Sequence, residues 1–532
     1  MSRPHSLHWG FASFLVAALC LTPIMVVVVS LLHPDIAVWQ HIAAYVLPDL
    51  LVNTSILLAG VSALTLLLGV GLAWLVSTCE FPGRKNFAWM LALPLALPAY
   101  VAAFADLGML DYTGTLQTWL RASLGWQGSL PALRSRWGVI VVLSLAFYPY
   151  VYLLARQAFV TQGRRAVEVA QSLGYSPWKG FWRVALPSAR PWIAGGLLLV
   201  WMETLADFGT VSVFNFDTFT TAIYKSWFAL FSMPAAAQLS ALLVILVLVL
   251  AAGEAWARRR QKYTATAHTA TGLYPLRGWR AGAAVLAATL TLAFAFVLPV
   301  VQLLIWASQS LDSIDARYYH FVSNSLRLAL GCAVLSCLCA LILARAARLY
   351  PSLKMQVLVK LSTLGYAIPG SVLAVGIFIP VAWLDNQLIA LAKSWDVSLQ
   401  LFLRGSVAVM ILALTVRFLA VAYHPVEAAM QRISRSHEDA AQILGLAGWR
   451  LFRQLHWGML KGGLFTAALM VFVDVMKEIP ITLMLRPFGW ETLSVRIFEM
   501  TSEGMWENAA LPALALLVVG LLPVIILGRQ HH

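Results

Sequence analysis

The sequence is poor in charge. Only 11% of its 532 residues are Asp, Glu, Lys or Arg, whereas 61% are apolar. A soluble globular domain carries about 25% charged residues, so a soluble protein built around one large core is excluded. Long runs without charge follow one another along the chain, as membrane-spanning helices require.

The sequence also lacks the marks of several enzyme classes. No G-x-x-x-x-G-K-[ST] stretch occurs, so the chain has no P-loop with which to hydrolyse ATP. His437-Glu438 begins like a zinc-protease motif, but Ala441 stands where the second histidine ligand would be. The other histidines show no metal-ligand spacing and no nucleophile–base pair is recognisable, which argues against an intramembrane enzyme. We therefore assign no metal site and no bound cofactor.

Cysteine is scarce, with five residues in the chain. Cys337 and Cys339 stand two positions apart, a spacing that also occurs in redox and metal pairs. No histidine or second cysteine pair lies nearby, so we interpret the five cysteines as small side chains in or beside membrane spans.

Twelve apolar stretches are candidates for membrane spans. The first is too long for a signal-peptide core and lacks a convincing cleavage site, so it is interpreted as a retained span. The predicted spans are 11–32, 50–76, 87–107, 138–155, 192–214, 236–253, 283–307, 323–344, 357–380, 406–422, 462–484 and 509–527.

The chain carries a net charge of +14, and the distribution of its basic residues between loops predicts the orientation of the protein in the membrane. Lys and Arg fall mostly in alternate loops, and the "ARRRQKY" stretch from Ala257 to Tyr263 is the clearest basic segment. Because basic residues favour the cytoplasmic side, this pattern predicts that both termini are cytoplasmic. The charge is expected to face the lipid bilayer, and nothing indicates a nucleic-acid partner.

The chain contains an internal repeat. Shifting the sequence by 271 residues makes many features coincide over a long ungapped stretch, and each half holds an even number of predicted spans. This predicts an all-α membrane protein with two parallel six-helix repeats, which together would enclose a path. The coinciding residues include Asn53 and Asn324, Pro98 and Pro369, Gly174 and Gly445, Trp178 and Trp449, Phe181 and Phe452, and Thr221 and Thr492.

The repeat and the linker between its copies give the predicted domain boundaries. These are an N-terminal span with its outer loop (1–49), a first transmembrane domain (50–255), a cytoplasmic linker (256–282), the first span and outer loop of the second half (283–321), and a second transmembrane domain (322–528).

One polar inner loop, "EVAQSLGYSPWKGFWRVALP", has a definite local pattern. Residues 165–173 favour a short helix, and Gly174 suits the left-handed position that ends one. Ser176-Pro177 is a preferred start for the next helix. Trp178, Phe181, Trp182 and Ala185 then follow at helical spacing and are expected to share one apolar face.

The second half repeats this pattern from Asp439 through Ala441 to Gly445. Two short helices that meet at a sharp turn are therefore expected on the inner side of each half. The simpler alternative is a pair of connecting loops that packing keeps short.

The duplicated loop resembles the EAA loop of binding-protein-dependent ABC importer permeases. The matching residues of the first copy are Glu168, Ala170, Gly174, Val184, Leu186 and Pro187. The resemblance implies that each loop docks into a cleft on a cytoplasmic ATPase subunit, so that two ATPase copies and a periplasmic substrate-binding protein are partners. ATP would be used by the partner, and the chain would lie in the inner membrane of a bacterium. In the second copy Ala441 and Gly445 match, but Asp439 takes the glutamate position with Glu438 beside it, and Trp457-Gly458 replaces the Leu-Pro pair. Either Glu438 or Asp439 is therefore a candidate for the contact with the ATPase.

Two further stretches resemble ferric iron importer permeases in which two such halves are fused. They are "ETLADFGTVSVFNFDTFTTAIYKSWF" (203–228) and "DVMKEIPITLMLRPFGWETLS" (474–494). The resemblance implies a type I ABC importer fold with ferric iron as cargo. Thiamine permeases share the fused architecture, so thiamine or another small solute stays an alternative. An ion-coupled secondary transporter is a more distant one, since it would not need duplicated EAA loops.

Four acids fall at membrane depth in these stretches. Glu203 and Asp207 are four residues apart, and Asp474 and Glu478 repeat the spacing. Because charges inside a membrane are costly and usually face a cavity or a partner, these acids are candidates for a translocation path that offers oxygen ligands. The alternative is structural: the acids cap helices or pair with Lys477.

Overall fold

The computed structural model of the chain is almost entirely helical in the part that it describes. Its strands within that part are β1 (Cys79–Glu80) and β2 (Tyr274–Pro275), which pair in parallel. The described residues are 7–32, 34, 36–126, 128–163, 172, 174–258, 274–310, 315–396, 402–446 and 448–529.

The helices are long enough to cross a bilayer. In the described residues, eleven helices pass the tests of length and hydropathy, or twelve if one bent pair counts as a single span. Helices satisfy all their backbone hydrogen bonds internally, which a hydrocarbon environment demands. The prediction of an all-α protein with about twelve spans is confirmed.

The first half contains twelve described helices. They are α1 (Leu7–Val29), α2 (Ile36–His41), α3 (Leu47–Thr78), α4 (Arg84–Met90), α5 (Ala99–Leu110), α6 (Thr115–Leu124), α7 (Arg136–Ala158), α8 (Pro177–Gly180), α9 (Leu186–Ala206), α10 (Gly209–Val213), α11 (Phe219–Phe228) and α12 (Met233–Arg258).

The described part of the second half contains twelve more. They are α13 (Trp279–Leu292), α14 (Leu298–Gln309), α15 (Ala316–Leu349), α16 (Leu353–Ser362), α17 (Gly370–Ser394), α18 (Val407–Gln431), α19 (Arg435–Ile443), α20 (Gly448–Leu451), α21 (Trp457–Lys477), α22 (Pro480–Leu485), α23 (Leu493–Ser502) and α24 (Trp506–Arg529).

Short irregular turns lie at the ends of several of these helices. The 3₁₀ turns are Ser30–Leu32, Leu93–Ala96 and Leu364–Ala367, and the π-helical turns are Ile42–Val46, Phe159–Gly163, Phe181–Ala185, Ala293–Val297 and Phe452–His456.

The repeat of the sequence is also a repeat of local structure. Helices α9 and α21 begin and end at residues that differ by the 271-residue offset, and α8 and α20 do the same. Pro98 and Pro369 each follow a 3₁₀ turn and precede a long helix, with ψ angles of 138° and 143°. A proline lacks the N–H that would continue a helix and forces the preceding residue into an extended conformation. The third span of the first half is consequently broken at Pro98, with a bend of 91°.

The chain folds into two compact units, each built from three segments. The first unit holds the described parts of 1–40, 222–244 and 314–496, and the second holds those of 41–221, 245–313 and 497–532. The units divide the chain by packing, whereas the predicted domains divide it by sequence repeat, so the domain boundaries stay a prediction.

In the first unit, α15, α18 and α21 pack together, and α1 packs against α15, α16 and α17. Cys332 and Cys337 of α15 lie 3.8 Å from the carbonyl oxygens of Ile411 and Leu464 on the neighbouring helices. All five cysteines are free and none is exposed. This agrees with their interpretation as small side chains packed among helices.

In the second unit, α3, α7 and α9 form the central cluster, and α14 packs against α5 and α24. Gly69 and Gly196 lie against Val151 of α7 so closely that a Cβ atom on either glycine would stand within 3 Å of it. Small residues of this kind let membrane helices approach one another.

The first span of each sequence half belongs to the unit built mainly from the other half. Helix α1 lies in the first unit, which holds most of the second half of the chain, and residues 283–307 lie in the second unit, which holds most of the first half.

Candidate functional site

The first inner loop is described from Gly174 onward. Gly174 has a φ of +75°, the left-handed conformation expected at a helix end. The backbone N–H of Lys179 donates to Ser176 Oγ at 3.4 Å, and α8 begins at Pro177. The predicted left-handed conformation of Gly174 and the predicted helix start at Ser176-Pro177 are therefore confirmed. Glu168, Ala170 and, apart from Ser172, the predicted helix over 165–173 lie outside the described residues.

An aromatic cluster fixes this loop to its unit. The Phe181 ring lies 4.8 Å from the ring of Trp74 and 6.4 Å from that of Phe159, and Ala185 is fully buried beside them. Trp182, which was expected on the same face, is 52% exposed. The segment is a π-helical turn rather than an α-helix, so the i, i+4 spacing no longer places Trp182 with the buried residues.

The second inner loop is described through its acidic helix and the turn that follows. Helix α19 ends at a closure in which the N–H of Leu446 donates to the carbonyl of Ala441 at 3.0 Å. Gly445 within it has a φ of +80°. This is the Schellman arrangement, which places glycine in the left-handed position. Ala441 is buried beneath the helix, whereas Ile443 and Leu444 at its end are 86% and 80% exposed.

The two adjacent acids of α19 have different surroundings. Glu438 Oε1 accepts a 2.7 Å hydrogen bond from His456 Nε2 and lies 3.2 Å and 3.4 Å from the guanidinium groups of Arg348 and Arg345. Asp439 is exposed. One acid therefore contacts the body of the unit, and the other points away from it.

The first pair of membrane-depth acids stands at the end of α9. The helix stops at Ala206, and Asp207 has an extended backbone with ψ of 128°. Its carboxylate accepts hydrogen bonds from the Val211 N–H at 3.0 Å and the Thr210 hydroxyl at 2.9 Å. Asp207 thus caps the short helix α10. Helix α9 ends between Glu203 and Asp207, so only Glu203 lies within it.

The second pair follows the same plan with one addition. Helix α21 stops before Glu478, whose carboxylate accepts from the N–H groups of Ile481 and Thr482 at 2.8 and 3.0 Å. Arg417 Nη1 also donates to Glu478 Oε1 at 3.0 Å, and both side chains are nearly buried. This is a charge-assisted bond inside the membrane region, where an unpaired carboxylate would be costly. Gly370, at the start of α17, has no room for a Cβ beside this pair.

A hydroxyl side chain holds the loop beyond each acid. Thr220 donates to the carbonyl of Asp207 at 2.7 Å, and Ser494 donates to that of Glu478 at 2.8 Å. The repeated asparagines act similarly, since Asn53 donates to the carbonyl of Asp217 and Asn324 to that of Glu491. Capping, the structural alternative for these acids, therefore describes Asp207 and Glu478 well. Glu203 and Asp474 are half-buried in the last turn of their helices.

No group of three or more His, Cys, Asp or Glu side chains is placed to hold a metal ion within the described part of the chain.

The chain matches the family model described as binding-protein-dependent transport system inner membrane component, over residues 6–263 and 334–531. The two matched segments fall in the two halves of the repeat. The chain belongs to this family. It is a multi-pass inner-membrane permease of an ABC importer, a transport subunit that works with an ATPase and a periplasmic binding protein.

Three relatives illustrate the range of similarity. The permease is 29% identical over 492 residues to the "Fe(3+)-transport system permease protein FbpB 2" of Haemophilus influenzae, and the match covers 90% of each chain. It is 32% identical over 148 residues to the sulfate transport system permease protein CysW of Escherichia coli, covering 28% of this chain and 49% of that one. A sulfate permease protein CysT of Synechocystis is 27% identical over 201 residues, or 36% and 68% of the two chains.

Sequence reasoning missed two ionisable groups in the interior of the permease. One is Arg417, because nothing in the sequence pairs it with a residue 61 positions away. Asp106 on α5 is 8% exposed, with no hydrogen bond or ion pair from the described residues. An acid inside the predicted span 87–107 was a signal that would have identified it.

Proposed function

We propose that the permease imports ferric iron that a periplasmic binding protein delivers. The observation that carries this proposal is the extent of the match with the iron permease. It runs through both halves of the fused chain, whereas the sulfate permeases cited above match 148 and 201 residues. The ferric-permease resemblance of segments 203–228 and 474–494 supports the same cargo.

The cargo proposal is tested by uptake in cells. A bacterial strain without its own ferric importer, given the permease with its ATPase and binding protein, should accumulate radioactive iron from ferric medium. Excess unlabelled sulfate or thiamine should not compete with that uptake. Accumulation of labelled sulfate or thiamine in place of iron would contradict the proposal and favour the corresponding alternative.

We further propose that each inner loop docks on one ATPase subunit, so that two copies of the ATPase bind. In the second loop, Asp439 makes the contact, since its side chain is exposed while Glu438 is engaged within the permease. Glu168 takes this role in the first loop. Exposed Ile443 and Leu444 supply an apolar surface for the same partner. ATP is bound and hydrolysed by the partner, and the permease itself carries no cofactor and catalyses no reaction.

The four membrane-depth acids divide into two roles in this proposal. Asp207 and Glu478 fix the short helices that follow α9 and α21, and thereby shape the path. Glu203 and Asp474, one turn earlier, offer carboxylate oxygens to the passing cargo. Ferric iron is a hard cation, and oxygen ligands suit hard cations.

Orientation is a separate proposal with its own test. We expect both termini and the 257–263 segment to face the cytoplasm, because basic residues concentrate in the loops on that side. A single cysteine in 257–263, in a variant without the five native cysteines, should react with an impermeant maleimide only after the cells are opened. A cysteine in the opposite loop, at Ser135, serves as the control and should react in intact cells. Labelling of the linker in intact cells would reverse the orientation.

A further inference from the structure

A cluster of four charged or titratable side chains lies at the base of α19. Glu438 comes from α19, Arg345 and Arg348 from the end of α15, and His456 from the π-helical turn that leads into α21. Glu438 Oε1 lies 2.7 Å from His456 Nε2, 3.2 Å from Arg348 Nε and 3.4 Å from Arg345 Nη1. A single carboxylate oxygen thus joins three separate helical segments of one unit.

The cluster is sheltered and connected to its surroundings. His456 is 1% exposed, and the three other side chains are about one-fifth exposed. Arg348 also donates to the carbonyls of Met430 and Ile433 at 2.7 and 2.6 Å, which ties the end of α18 to the same point. Burial raises the pKa of Glu438, but the bond from His456 and the charge of Arg348 outweigh burial and leave the pKa below its usual value. The carboxylate is therefore charged and paired.

The first half has a different arrangement at the corresponding positions. The residues 271 positions before Arg345, Arg348 and His456 are Trp74, Ser77 and Ala185. Trp74 there packs its ring on Phe159 and Phe181. Packed aromatic rings hold the first inner loop, whereas charged groups hold the second.

We propose that Glu438, Arg345, Arg348 and His456 act as positioning residues that transmit movement of the second inner loop to the membrane helices. This inference rests on the proposed contact between α19 and the ATPase. Asp439 and the exposed apolar residues Ile443 and Leu444 would contact that partner, so a movement of the ATPase would displace α19. Glu438 is the acid of α19 that faces the unit, and its bonds lead directly to α15 and to the start of α21. Because charged hydrogen bonds are directional, they pass a displacement on instead of letting α19 slide over its support.

The test is the number of ferric ions imported per ATP hydrolysed. It uses the whole complex in liposomes with ferric-loaded binding protein, together with thermal denaturation of each variant. Glu438→Gln and His456→Leu should hydrolyse ATP at near the normal rate while importing roughly fivefold less iron per ATP, a size typical of single residues in coupling networks. His456→Gln can still donate an N–H to Glu438 and should recover most of the ratio. Arg453→Met, an exposed charge on the same turn, is the control and should leave the ratio unchanged.

The outcomes separate the possibilities. An unchanged ratio in Glu438→Gln and His456→Leu would overturn the proposal. So would a parallel fall of ATP hydrolysis, import and thermal stability that His456→Gln fails to reverse, because that result describes a merely structural cluster. If His456→Leu does not assemble, Glu438→Gln decides alone: an unchanged ratio overturns the proposal, and a lowered ratio at near-normal ATP hydrolysis supports it. Failure of the wild-type complex to import iron would instead reject the proposed cargo, and the ratio would then be measured with the cargo it does import.

Discussion

Replacing Arg417 with methionine should lower the free energy of unfolding of the permease by about 3–5 kcal/mol, the cost of leaving one member of a buried ion pair without its partner. Glu478 is 2% exposed in its side chain and Arg417 13%, so water cannot replace the lost bond. Methionine keeps most of the length of the arginine side chain, which limits the loss of packing. Thermal denaturation of the purified complex measures the effect.

The double variant Arg417→Met, Glu478→Gln provides the control for this pair. Removing both charges leaves no buried unpaired ion, so the double variant should be clearly more stable than Arg417→Met alone. The glutamine can still accept a hydrogen bond from the backbone of α22. Equal instability of the single and double variants would show that the ion pair does not explain the cost.

Asp207→Asn is the matched comparison in the first half. Asparagine caps helices about as well as aspartate, and Ala146 stands at the position that corresponds to Arg417. We therefore expect little change in stability from Asp207→Asn and a large one from Arg417→Met. A large loss of stability in Asp207→Asn would contradict the capping role.

The second large effect is expected at the two inner turns. The double variant Gly174→Val, Gly445→Val should insert into the membrane normally but lose iron uptake and bind the ATPase weakly. Both glycines have φ angles near +80°, and a β-branched residue tolerates this region poorly. The strain is about 1–3 kcal/mol at each turn, and about 1.4 kcal/mol already changes the population of the docking-competent turn tenfold. Uptake in cells and co-purification with the ATPase are the two measurements.

Backbone strain and added bulk can be separated at these turns. A Cβ atom at Gly174 or Gly445 meets nothing within 4 Å, so size alone should not disturb the fold. Asparagine accepts the left-handed conformation, and Gly174→Asn with Gly445→Asn should keep most of the uptake. Gly462→Ala, at a glycine with equally open surroundings and ordinary φ, is a second control. Normal uptake in the double valine variant would contradict the role of the turns.

The features that the sequence predicted well depend on local chemistry. Gly174, Gly445, Pro98 and Pro369 determine turns and breaks through their own backbone preferences, and each lies where the repeat placed it. Spans are similarly local, because each depends on a run of apolar residues.

The features that the sequence did not predict depend on contacts between distant segments. The partner of Glu478 is Arg417, which lies 61 positions away along the chain, and only the packing of α18 near α22 brings them together. The proposal that Asp439, and not Glu438, contacts the ATPase likewise depends on the fold, because only the fold shows that Glu438 faces Arg345 and His456. The prediction that Trp182 shares the buried face was wrong because a π-helical turn changes the phase of the helix, whereas sequence periodicity assumes an α-helix throughout.

The most direct test of the proposed transport function is ferric iron uptake into liposomes that contain the purified permease and its ATPase. Ferric-loaded binding protein is added on the side of the membrane where the outer loops of the permease lie. We predict that iron accumulates only when binding protein and magnesium-ATP are both present, and that removal of either abolishes uptake. Iron accumulation by the permease alone under an ion gradient, without ATPase or ATP, would contradict this prediction.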